Sequence, residues 1–93
     1  MHGLDIARRN GVVTLGNYWH SGLDVNIQAD EPVTLGTLPE GWRPPFDVSS
    51  RSMVNGHSQL LLVYEGGDVR VMSDVDITAG TPFELSTITY PCT

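Results

Sequence analysis

The chain has 93 residues, with eleven acidic side chains against five basic ones, every one of these an arginine, for a net charge of −6. This balance excludes an electrostatic nucleic-acid surface, which needs clustered positive charge, and electrostatic docking to anionic membranes. The length fits one domain, and the single cysteine, Cys92, cannot form an internal disulfide.

In chain order the periodicity is that of strands. Asn10-Gly11 lies between Ile6-Ala7-Arg8-Arg9 and Val12-Val13-Thr14-Leu15. Both turn positions of such a hairpin want positive φ, which Asn and Gly tolerate best. Leu23, Val25, Ile27 and Ala29 alternate with polar residues and predict a strand with one buried face. Val33, Leu35 and Thr37 predict the next, which stops at Pro39 because proline brings no amide hydrogen to a ladder. Phe46-Asp47-Val48-Ser49 predicts a short strand. Residues 52–58 then read as a polar connection. Within residues 59–65, Leu60-Leu61-Leu62-Val63-Tyr64 is apolar on both faces, which fits a central strand or one covered by another subunit.

Gly66-Gly67 turns that strand into Asp68-Val69-Arg70-Val71-Met72, a second hairpin. Residues 75–79 and 83–90 complete the series. No window carries a helical apolar stripe, and no run approaches the ~20 residues of a membrane span or the apolar core of a signal peptide. About eight short strands separated by frequent turns predict an all-β antiparallel sandwich, jelly-roll-like or Greek key. The reading places no internal repeat, linker or domain boundary in residues 1–93. So short a chain buries only roughly 60–65% of its unfolded surface, which favours association into a symmetric oligomer.

Residues 35–46 read Leu-Gly-Thr-Leu-Pro-Glu-Gly-Trp-Arg-Pro-Pro-Phe. Here an aromatic and a guanidinium stand on a stiff segment after a glycine turn. The stretch resembles the Leu-Pro-x-Gly-aromatic-Arg-Pro signature of small β-domains in bacteriophage tail-fibre and baseplate receptor-binding proteins. Arg9-Asn10-Gly11-Val12-Val13 upstream, and Gly67-Asp68-Val69-Arg70-Val71 and Tyr90-Pro91 downstream, fit the same pattern. Pro45 stands where a small polar residue is more usual, and no shaft or coiled coil is read before the domain. The resemblance implies a virion location at a tail or fibre tip, threefold assembly, and contact with other phage tail proteins.

Three groups of residues are candidates for a saccharide. Trp42 can stack on a sugar face while Arg43 bonds its hydroxyls; alternatively Trp42 packs over the sandwich end and Arg43 pairs with a carboxylate. Tyr18-Trp19-His20 places adjacent rings in a loop-like stretch where no strand pattern requires them. Asn55 and His57 offer polar groups within the connection at 52–58. Asp74-x-Asp76 near Asp68 lacks the Gly and Glu spacing of a calcium loop, and no Cys and His spacing suits a metal. No nucleophile-elbow pattern accompanies the serines, so no catalytic residue, metal or cofactor is assigned and a non-enzymatic role is expected.

The expected function is host recognition, with shallow sites around a symmetry axis gripping a largely neutral bacterial surface polysaccharide. A structural knob that caps a fibre and a carbohydrate-binding appendage of a cell-wall hydrolase are the alternatives.

Overall fold

The computed structural model describes residues 1–16, 23–54, 56–81 and 87–92. Among them are seven strands and no helix: β1 (Asp5–Arg9), β2 (Val12–Gly16), β3 (Val33–Thr37), β4 (Val48–Val54), β5 (His57–Val63), β6 (Asp68–Ser73) and β7 (Ile88–Pro91). They form two antiparallel sheets, of order β1-β2-β7 and β3-β6-β5-β4. The all-β antiparallel architecture expected from the turn spacing is therefore present, with seven described strands where about eight were expected.

The first hairpin forms as its sequence dictates. Asn10 and Gly11 hold φ of 53° and 75°, and Arg9 pairs with Val12 across the two-residue turn. Alternation then sends Val13 and Leu15 of β2, and Ile88 and Tyr90 of β7, inward. From the larger sheet Leu35, Leu61, Val63, Val69 and Val71 join the same cluster. A bulge between Thr34 and Gly36 shifts the register of β3 against β6, and Leu35 at the bulge is buried.

Two predicted strands are not strands. Residues 23–29 and 75–79 keep the alternation of burial as far as Ile27 and Ile77, with Ala29 and Ala79 exposed, but share one isolated bridge, Ile27 with Ile77. Side chains replace the ladder on either side of it. Asn26 Oδ1 accepts from Ala79 N at 2.7 Å, and Asp76 Oδ1 accepts from Ala29 N at 2.8 Å. Short polar side chains compete in this way for main-chain partners that a sheet would otherwise claim.

The polar connection expected at 52–58 is likewise revised. It is the tip of a hairpin, in which Val54 pairs with His57 and only two residues join β4 to β5. Serines at 49, 50 and 52 hide the strand pattern without preventing the pairing. In β5, which lies between β4 and β6, Leu61 and Val63 are buried while Leu60 and Leu62 are half-buried on the outer face. Met72 and Arg70 stand opposite them.

Candidate functional site

The corner after β3 is built from main-chain bonds. Leu38 N donates to Gly67 O at 2.8 Å, which ties the end of β3 to the β5–β6 turn. Trp42 N donates to Pro39 O at 3.1 Å and closes the Glu40-Gly41 turn, where Gly41 holds φ of 87°. Arg43 folds back so that its Nε donates to Leu38 O at 2.9 Å, with its side chain against Gly67. The expected carboxylate partner is thus replaced by a main-chain carbonyl. Arg43 is spent on holding the loop, and Pro44 behind it is fully buried.

Trp42 is half-buried against the core, and its carbonyl accepts from Tyr90 Oη at 2.6 Å. Its side chain lines a shallow apolar depression of about 310 Å³ with Met1, Ile6, Thr37, Leu38 and Pro39. At this rim Thr37 Oγ1 donates to Asp68 Oδ1 at 3.1 Å. An aromatic residue, its apolar neighbours, and a hydroxyl and a carboxylate close by are groups of the kind that contact one face of a sugar ring and its hydroxyls.

Neither a protein-family model nor a curated protein matches this sequence.

The remaining candidates do not converge on Trp42. His57 is exposed at the start of β5, with Nδ1 3.5 Å from Asp74 Oδ1. Asp74 and Asp68 flank opposite ends of β6, a six-residue strand that spans roughly 17–20 Å. The His57 and Trp42 groups therefore belong to opposite ends of the larger sheet. Tyr18, Trp19, His20 and Asn55 lie outside the described residues. The three aspartates of the weak calcium pattern each have local partners. Asp74 Oδ2 accepts from Ser58 N, Asp76 from Ala29 N, and Asp68 from Thr37 and Arg70. No group of three potential metal ligands occurs among the described residues.

Met1, Ile6 and Thr37 were missed as lining residues. Gly36 carried a trace of the first, since a side chain there would meet the Met1 methyl at 3.0 Å. Nothing in the local pattern of residues 1–6 announces that contact.

Tyr90 makes the corner sensitive to alkali. Burial, and secondarily the charge of Cys92, push its phenol up to about 12. The folded value lies above the unfolded one of about 10, so folding favours the neutral phenol. That contribution is complete below about pH 10 and is lost as pH rises through about 12. Urea melts should show the protein losing on the order of 2 kcal/mol across this interval. Tyr90→Phe should be less stable at neutral pH by about 1–2 kcal/mol and lack that component of the alkaline loss. Parallel alkaline slopes for the two proteins would remove the phenol from the explanation.

Proposed function

We propose that this chain is a non-enzymatic host-recognition module of a bacteriophage tail fibre or baseplate, which adheres as a homotrimer to a bacterial surface saccharide. The observation that carries the saccharide reading is the Trp42 depression. The main chain of Trp42 is held at both ends, its N donating to Pro39 O and its O accepting from the Tyr90 phenol, with the Thr37–Asp68 pair at the rim. Such pre-organisation lowers the ordering cost that weak sugar contacts must overcome. The half-buried Leu60, Leu62 and Met72 on the outer sheet face support association between copies. Several shallow sites then raise affinity by ~10²–10⁴ through effective concentration. The net charge of −6 favours a neutral polymer.

The test is binding of the protein to purified neutral and anionic wall polysaccharides. Trp42→Ala is expected to weaken binding at least about tenfold with the oligomer mass unchanged, since base- or sugar-sized stacking on one ring carries roughly 1–3 kcal/mol. Trp42→Phe should retain part of the affinity. Undiminished binding by Trp42→Ala rejects this depression, and Trp19→Ala then tests the Tyr18-Trp19-His20 group. Affinity that rises with calcium and falls with chelator overturns the neutral-sugar form.

Arg43 favours a second reading. A guanidinium committed to Leu38 O serves architecture, as a fibre-capping knob requires. Such a knob would assemble normally and bind no wall glycan at all.

A further inference from the structure

Residues 24–37 read Asp-Val-Asn-Ile-Gln-Ala-Asp-Glu-Pro-Val-Thr-Leu-Gly-Thr, and residues 74–87 read Asp-Val-Asp-Ile-Thr-Ala-Gly-Thr-Pro-Phe-Glu-Leu-Ser-Thr. The two are identical at seven of fourteen positions, at a constant spacing of 50 and without a gap. Ordinary composition gives roughly one such identity. The absence of an internal repeat, expected from the pattern of apolar residues alone, is therefore corrected.

The geometry repeats with the sequence. Ile27 N donates to Ile77 O and Ile77 N to Ile27 O, both at 2.8 Å. Asn26 binds the amide of Ala79 just as Asp76 binds the amide of Ala29. Each segment then turns alike: Glu31 N donates to Gln28 O at 3.1 Å, and Thr81 N to Thr78 O at 3.0 Å. The matching positions Asp30 and Gly80 both hold positive φ, 60° and 85°. At the other end Asp24 N donates to His2 O and Asp74 N to Ser58 O. Each of these aspartates also has a histidine beside it, His2 at 2.7 Å and His57 at 3.5 Å.

The topology extends the correspondence. Hairpin β1–β2 leads through the first segment to β3, and hairpin β5–β6 leads through the second to β7. β3 pairs with β6 and β7 pairs with β2, so each hairpin is completed by the strand that follows the other, although β7 begins at Ile88, one residue beyond Thr87, the position that matches Thr37 at the end of β3.

We infer that the chain contains two copies of one module, in residues 1–37 and 57–91, which bind each other across a two-fold surface centred on Ile27 and Ile77 and trade their closing strands. The surface is isologous, in that the same groups face each other from both sides, as in a symmetric dimer. Its partner is a second copy of the module. This conclusion stands independently of the saccharide reading.

Two stretches have no counterpart. Seven residues separate Gly16 from Asp24, whereas Ser73 adjoins Asp74 directly. Residues 38–56, which include β4, lie between the modules. These additions hold Tyr18, Trp19, His20, Trp42 and Arg43, the ring and guanidinium groups that the frame itself does not repeat.

The test transplants each segment onto the other in the full chain. N26D/Q28T/D30G copies the second onto the first, and D76N/T78Q/G80D does the reverse. Both are expected to melt cooperatively within about 4 °C of the parent. Asn26→Ala and Asp76→Ala should each lower the midpoint by about 4–8 °C, and by similar amounts, because each removes the same bond. In a third arm, a protease site at the Glu40-Gly41 turn is cut without denaturant, and the two fragments should elute together. A transplant that fails to fold, or a loss confined to one alanine variant, overturns the equivalence of the modules. Fragments that separate on cutting overturn the traded strands.

Discussion

Gly67→Ala is expected to destabilise the protein by about 3–5 kcal/mol, summed from a left-handed backbone penalty, a steric clash and the bonds it displaces. Gly67 is buried and holds φ of 99°. A methyl group there would stand 2.7 Å from Leu38 O and 2.8 Å from Arg43 Nε, and the former is main chain that cannot swing aside. That same carbonyl accepts from Arg43, while Leu38 N donates to Gly67 O. Moving it therefore loosens both bonds that fix the corner beneath Trp42. A chain of this size has on the order of 5–14 kcal/mol in total, so the urea midpoint should fall by roughly a fifth or more. Gly66→Ala is the control: nothing lies within 4 Å of its added carbon, and its change should stay within about 0.5 kcal/mol. Equal midpoints for the two variants would mean that the corner yields easily and that Trp42 is not rigidly presented.

The difference between Gly66 and Gly67 marks how far the sequence could be read. The pair announces a turn, but only the approach of Arg43 and Leu38, distant in sequence, decides which glycine is indispensable. Asn10-Gly11 was legible because strong alternation flanks it. The corresponding turn between Val54 and His57 was obscured, since the middle of β4 reads Ser-Ser-Arg-Ser without an apolar residue and depends on β5 for its pairing. Leu23, Val25 and Ile27 show the reverse case. Their alternation correctly predicted inward and outward faces, yet alternation reports burial and not hydrogen bonding, and Asn26 and Asp76 diverted the amides that a strand needs. The corner itself was half legible. Pro39, Gly41 and Trp42 declared a stiff turn bearing a ring, whereas the contribution of Ile6 in β1 and of Met1 ahead of it comes from far along the chain and has no local signature.

Leu61→Ala should cost about 3–4 kcal/mol, within the 2–5 kcal/mol range for buried leucines that leave a cavity. Leu61 is 0% exposed, pairs with Ser50 on one side and Val71 on the other, and belongs to the cluster between the sheets. Both neighbouring strands are fixed by full ladders, so the site has little freedom to collapse around the void. Leu62, one residue on, points to the opposite face and is half-buried. In an isolated copy Leu62→Ala should cost about 1 kcal/mol or less, because much of its surface is already wet. If the outer face is the one that joins copies in the proposed trimer, that small cost becomes concentration-dependent and the mass in solution falls. Sedimentation of the Leu62 variant beside urea melts of the Leu61 variant separates the two layers of the argument. A large Leu61 effect with unchanged Leu62 mass keeps the sandwich and removes this face as the contact between copies. A Leu61 variant as stable as the parent would contradict the packed core on which the position of every other residue depends.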